Sequence, residues 1–174
     1  MYAVQKVDLN SDEMRGWSWL GFTPCEQVHH HVLELDQFEP RLAPLYDRLK
    51  SRGRIPESAQ IIPLYEADAD EVIRLHLAQL GGDPSTLAER IRGEGPESFS
   101  PRYSRILLVD GRVVGFILAH RASRDVAHVD ADVVDPTLRG GWANIWLKLE
   151  ATRGALNLGI KKFVFTTFDH YTDT

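Results

Sequence analysis

The sequence predicts a mixed α/β layer fold in which a central mixed β-sheet is flanked by helices. Three observations carry that expectation. From Gln60 onward, segments of strand and helix period follow one another in the order β-α-α-β-β-β-α-β. Asp110-Gly111 separates two apolar, β-branched runs, as a tight hairpin turn with positive φ requires. A long amphipathic segment, 141–157, then lies between two strand-like runs and is closed by Gly159.

Each element has its own local reason. Residues 2–9 alternate as a short strand, and Asn10, Ser11 and Asp12 can cap a helix running to Trp19 or Leu20, stopped by Gly21. Val28, His30 and Val32 alternate with His29, His31 and Leu33 along a long strand expected over 22–35. Leu42, Leu45, Tyr46 and Leu49 give helical spacing over 39–52, with Pro40 in the first turn and Gly53 past the end. Ile61, Ile62, Leu64 and Tyr65 read as a strand, and Asp68 to Leu80 as a helix with Val72, Leu75, His76 and Leu80 on one face. Gly81-Gly82 ends it, and 84–92 forms a second short helix. The hairpin 104–120 follows, then a strand over 126–134 ended by Pro136. In the helix 141–157, Trp142, Ile145, Trp146, Leu149 and Leu156 form the stripe expected to pack on the sheet. The last strand covers 160–168.

Composition narrows the class. Of the 174 residues, 43% are hydrophobic and 26% charged, as in ordinary globular domains. A net charge of -5 gives no global attraction for nucleic acid or an anionic membrane and suits a cationic substrate. Cys25 is the single cysteine, so neither an intrachain disulfide nor a thiolate metal cluster is expected. No apolar h-region follows Met1 and no run has the length of a membrane span, so a cytoplasmic protein is expected.

The chemistry concentrates in Val134-Asp135-Pro136-Thr137-Leu138-Arg139-Gly140-Gly141-Trp142-Ala143. A strand ends, glycines follow, and a helix begins. Backbone N–H groups at the positive end of a helix dipole form a ready phosphate site, glycine admits close approach, and Arg139 adds charge. A plain glycine turn has the same local pattern.

This stretch resembles the acetyl-CoA signature of the GCN5-related N-acetyltransferases, the GNAT family. Val134-x-Pro136 and Arg139-Gly140 stand where that family carries V-x-P and R-G, and Gly159-Ile160 matches its helix, G-I, strand ending. The segment Gln60–Phe168 follows the family's element order. Two registers of the phosphate motif are open. Starting at Arg139, Trp142 and Asn144 take the two glycine positions; with one residue deleted, Gly141 and Ala143 take them and Leu138 stands at the head. The second is preferred because it puts Gly141 at the turn.

The resemblance implies transfer of an acetyl group from acetyl-CoA, as cosubstrate, to a primary amine of a small molecule or peptide. It implies that Val133 and Val134 hold the acyl group and pantetheine, and that Arg139, Gly140, Gly141, Trp142 and Ala143 receive the pyrophosphate. His128, Asp130 and Asp132 alternate along one strand and are expected to share the face of the acceptor site, as base or relay. A solvated strand face alternates in the same way. Tyr171, with His170 beside it, is the candidate acid. Binding of acyl-CoA or of a protein partner without catalysis is the alternative.

The ends raise a further expectation. The family's closing helix and strand are missing after 59–174, whereas Asn10, Trp17, Gly21 and Phe22 within 1–36 have their spacing. Residues 37–58 then form a helical connector. The N-terminal segment completes its own chain, completes a neighbour in a strand-exchanged homodimer, or is a remnant of a tandem protein. The run His29-His30-His31 puts only His29 and His31 on one face, so no metal site is expected.

Overall fold

The structure is a computed structural model, and it describes residues 7–24, 28–95 and 97–168. The strand expected at 2–9 lies mostly outside the described residues, and Val7 and Asp8 are not in a strand. Chain contacts separate two compact units, one of Met1–His29 with Thr167–Thr174, the other of His30–Thr166.

The smaller unit contains α1 (Asp12–Trp19). Ser11 caps it, its Oγ accepting the Met14 N–H at 3.1 Å. Gly21 adopts φ 84° just past its end, and Trp17 meets Phe22 edge-on at 5.1 Å.

The larger unit is built on a six-stranded sheet. Its strands are β1 (Val28–Glu34), β2 (Gln60–Pro63), β3 (Arg105–Val109), β4 (Arg112–Arg121), β5 (Val126–Val134) and β6 (Lys162–Phe168), in spatial order β1-β6-β5-β4-β3-β2. β2 to β5 pair antiparallel in succession, and β5 pairs parallel with β6. The β3–β4 turn is the one predicted, with Asp110 at φ 52° and Gly111 at φ 75°. The helices are α2 (Leu35–Ser51), α3 (Ala69–Leu80), α4 (Pro84–Arg92) and α5 (Trp142–Leu156). Asp68 and Asp83 cap α3 and α4 with their carboxylates.

Two apolar layers cover the sheet. On one face, Ala143, Leu147, Ala151 and Ala155 of α5 pack with Leu107, Ile117, Val134 and Phe163. On the other, Val72 of α3 and Leu87 of α4 pack with Ile106, Phe116, Leu118, Ala131 and Val133. The expected stripe of α5 is part of this contact: Trp142, Trp146 and Leu156 are half-buried against the same core and Leu149 is fully buried, while the row Ala143, Leu147, Ala151 and Ala155, which the pattern did not single out, is the fully buried one. Trp146 also meets Tyr46 of α2 with ring centroids 5.7 Å apart. A helix covered on two sides has no single apolar stripe.

α2 also differs from expectation: it starts at Leu35, so Pro40 and Pro44 both fall inside it. Leu35 and Leu42 are buried, and Glu39 binds Arg153 of α5 at 3.1 Å, so this segment is a packed element of the larger unit.

Candidate functional site

The site begins with an irregularity in β5. Leu118 of β4 pairs with Ala131, and the next residue, Ala119, pairs with Val129, which leaves Asp130 as the extra residue of a β-bulge. The bulge changes which face each side chain takes. Before it, His128 lies opposite His120, and after it Asp132 lies opposite Ile117, whose side chain is in the α5 layer.

His128, Asp130 and Asp132 therefore do not share one face. Asp132 points to α5, where Lys148 binds it at 3.2 Å. Desolvation pushes its carboxyl above the usual carboxylate range, partly offset by the Lys148 ammonium. His128 and Asp130 remain together on the α3/α4 face, and the hairpin brings two further residues to them.

Those residues are His120 of β4 and Arg90 of α4. Nδ1 of His120 lies 2.6 Å from Oδ2 of Asp130, and Nη2 of Arg90 lies 3.0 Å from its Oδ1. Nδ1 of His128 is 3.7 Å from Oδ1, buried and without a hydrogen bond to a described residue. Arg90 is fixed in turn: its Nε donates to the Glu97 carbonyl at 2.9 Å and its guanidinium lies 4.1 Å over the Phe99 ring. His76 of α3 stacks on Phe116 at 6.0 Å and feels both Arg90 and Asp130; burial lowers its pKa. Neither His120 nor Arg90 was among the residues singled out from the sequence. One signal was present: a short turn joins β4 to β5, and counting outward from it sets His120 against His128.

The second feature is the divergence of β5 from β6. Among the described residues their pairing covers only 126–128 with 162–164 and ceases at the bulge. Asp135 donates its N–H to the Val114 carbonyl at 2.7 Å. By the alternation of an antiparallel ladder, Ala131 and Val133 then also bond toward β4, while the N–H and C=O of Asp132 and Val134 face the side from which β6 has departed.

The third feature is the turn into α5. Asp135 caps a short 3-10 turn, Pro136–Leu138, accepting the Thr137 N–H at 2.9 Å and its hydroxyl at 2.6 Å. The Thr137 hydroxyl bond, then the N–H, lower the Asp135 pKa. Gly140 takes positive φ, 68°, and Gly141 is the extended N-cap, φ -119°. The turning residue is thus Gly140, which corrects the reason for preferring the Gly141 register. No side chain caps α5, so its first N–H groups remain without such a partner. Trp142 folds along the helix toward Trp146, ring centroids 6.2 Å apart. Ala143 is buried against the sheet, so only its backbone can meet a ligand. Arg139 reaches Gln79 of α3 at 2.8 Å and the Val134 carbonyl at 3.4 Å. Asn144, in the first turn, has a buried Oδ1 without a hydrogen bond to a described residue.

Tyr171 and His170, the proposed acid and its neighbour, lie outside the described residues, as does Cys25. No helix among the described residues is long and apolar enough to cross a membrane.

Sequence comparison finds no matching family model and no matching curated protein. Comparison of folds is decisive. The GCN5-related N-acetyltransferase from Sphaerobacter thermophilus superposes on 93% of the chain with TM-score 0.64 at 14% identity. A GCN5-related glucosamine N-acetyltransferase region of a fungal multi-domain GH3 β-N-acetylglucosaminidase matches 90% of the chain with TM-score 0.64 at 11% identity, over 20% of its own length. A tandem GNAT protein of the clavulanic acid biosynthesis pathway matches 96% with TM-score 0.55 at 16% identity. The chain spans 49% of the Sphaerobacter chain and 52% of the tandem protein, about half of each. The chain thus has the GNAT fold, a mixed sheet flanked by helices.

Proposed function

We propose that the protein is an acyl-CoA-dependent N-acetyltransferase that moves an acetyl group from acetyl-CoA to a primary amine of a small molecule or peptide. The observation that carries this reading is the divergence of β5 from β6 at Asp130, directly upstream of the uncapped first turn of α5. The opening offers the backbone N–H and C=O of Asp132 and the N–H of Val134 to an amide-bearing arm, the Val134 carbonyl already accepting from Arg139. The turn offers helix N–H groups to an anion. GNAT-fold neighbours named as acetyltransferases support the same reading.

The residues fit such a ligand sterically. A Cβ built on Gly140 would meet nothing within 4 Å, and one on Gly141 only the Leu138 carbonyl at 3.6 Å. The turn is therefore open. With the acyl group beside the bulge, an amine arriving from the α3/α4 side meets His120, His128 and Asp130. Attack forms the C–N bond first, backbone N–H groups facing the opening are placed to stabilise the tetrahedral oxyanion that results, and the C–S bond then breaks to release the thiolate of CoA.

Arg139 favours a second reading, in which the chain binds acyl-CoA or a partner without turnover. Its guanidinium is engaged by Gln79 and Val134. Thiol release from acetyl-CoA over a panel of primary amines separates the two. Release above the amine-free background supports transfer; binding without release supports the second reading.

For the N-terminal segment, completion of the same chain's sheet is the reading favoured over exchange in a homodimer. β1 stands beside β6 in the sheet, Glu34 binds Lys162 at 2.8 Å, and His31 stacks on Phe165 at 4.9 Å.

A further inference from the structure

We propose that His120 is the catalytic residue that takes the proton from the acceptor amine, with Asp130 as the positioning residue that fixes its tautomer. The inference rests on the acyl-transfer reading above and assigns a base that the strand pattern of β5 did not contain.

The argument starts from the contacts of one nitrogen. Nδ1 of His120 lies 2.6 Å from Asp130 Oδ2 and 3.2 Å from Arg90 Nη2. Arg90 can only donate, and a carboxylate only accepts, so both contacts cannot be hydrogen bonds to one tautomer. The shorter, charge-assisted contact decides: Nδ1 carries the hydrogen and gives it to Asp130. Arg90 instead donates to the other carboxylate oxygen, Oδ1, at 3.0 Å. The two donors, His120 Nδ1–H and Arg90, thus take different oxygens and hold the carboxylate in one orientation.

The consequence is at the far side of the ring. With Nδ1 protonated, Nε2 of neutral His120 carries the lone pair, and it has no hydrogen-bond partner among the described residues. This is the arrangement by which a carboxylate orients a histidine base. Its position is also suitable. Asp130 is the bulge residue at which β5 and β6 part, and His120 lies opposite His128, at the closed end of the opening.

The proton balance is complete. An acceptor ammonium gives one proton to Nε2 of His120, and the freed lone pair forms the C–N bond at the thioester carbonyl. The C–S bond breaks, and the second nitrogen proton ends on the leaving thiolate. Products are the amide, the thiol of CoA and protonated His120.

His120, His128 and Asp130 also have ligand atoms within 4.8 Å of one another, the spacing of a metal site. Arg90 argues against it. Its guanidinium already stands against both Asp130 Oδ1 and His120 Nδ1, where a metal bound to those atoms would have to sit. The charged and titratable groups facing His120 are Arg90 from α4 and Asp130 and His128 from β5, with His76 of α3 coupled to Arg90 and Asp130.

Two measurements on the whole chain test the inference. Long-range proton–nitrogen NMR of histidine-labelled protein reads the tautomer without ligand. Nδ1–H is expected, with loss of that preference in Asp130→Asn; an Nε2–H tautomer in the wild type overturns the assignment. The second is thiol release from acetyl-CoA with the amine panel, followed across pH. His120→Gln should lower kcat/KM by about a hundredfold or more, flatten the acid limb and leave calorimetric acetyl-CoA affinity unchanged. Imidazole should restore part of the rate to His120→Ala. Wild-type turnover and pH profile in His120→Gln would overturn the inference while leaving acyl transfer standing. Absence of transfer by the wild type with every amine would end the acyl-transfer reading, and the base role with it. Stoichiometric Zn²⁺ uptake that His120→Gln abolishes would overturn the base in favour of a metal centre.

Discussion

Gly115 links the packing of the sheet to the geometry of the opening. It lies in β4 opposite Val134 and beneath α5. A Cβ at this position would stand 2.9 Å from the Val133 carbonyl oxygen, 3.1 Å from Leu147 Cδ1 and 3.4 Å from Val134 Cα. The leucine methyl can yield by rotation, but the carbonyl belongs to the strand that ends in the glycine turn. Gly115→Ala should recover about 0.5–1 kcal/mol of backbone entropy and lose about 1–3 kcal/mol to overpacking. The balance is a net loss of up to about 2.5 kcal/mol, centred on about 1, or up to roughly 10 °C in Tm for a chain of this size. Because the strain falls on Val133 and Val134, acetyl-CoA affinity should fall as well. Gly154→Ala provides the comparison. Its Cβ would meet the Arg102 carbonyl at 2.7 Å and the Arg105 guanidinium at 2.6 Å, so a similar loss of stability is expected. That residue is about 18 Å along α5 from its first turn, and affinity for the folded protein should not change. Thermal denaturation and calorimetric titration of both variants decide the matter. Undiminished stability in Gly115→Ala, or equal loss of affinity in both, would refute the reasoning.

Three other outcomes are expected. Gly141→Val should fold with little change in Tm, since its φ is extended and its nearest contact is 3.6 Å, yet weaken acetyl-CoA binding by crowding the phosphate; unchanged affinity would reject that residue as part of the site. Asp132 has a carboxyl pKa raised by desolvation, so the native state holds its proton longer than the unfolded chain and stability falls as pH rises through that window. Relative to Asp132→Asn, the wild type should therefore be most stable in acid and lose ground toward neutral pH in denaturant titrations; the opposite slope would mean that Lys148 outweighs burial. Asp83, held down to about 2 by Ser85 and Thr86, has the other sign: its contribution to folding is present above the unfolded carboxylate range and is lost as pH falls toward 2. Asp83→Asn should flatten that acid limb, and an unaltered limb would show that the cap does not report on stability.

Much of the architecture was legible because its signals are local. Asp110-Gly111 demands one kind of turn, Asp68 and Asp83 mark helix starts, and Gly140 supplies the one positive φ between β5 and α5. The site was less legible. A bulge inserts one residue without any compositional mark, so period-two reasoning placed Asp132 with His128 and Asp130 when the inserted Asp130 sends it to Lys148. His120 and Arg90 reach the cluster from other elements, and only the hairpin register and the docking of α4 bring them there. In α5 the tryptophans outweighed the alanines in the pattern, although small residues let a helix approach a sheet closely.

The most direct test of acyl-CoA use is calorimetric titration of the wild-type chain with acetyl-CoA, with dephospho-CoA as control. Micromolar, stoichiometric binding that weakens in Gly141→Val is the predicted result. Absence of binding at millimolar acetyl-CoA would contradict the account, because the opening between β5 and β6 and the turn into α5 would then serve no acyl-CoA.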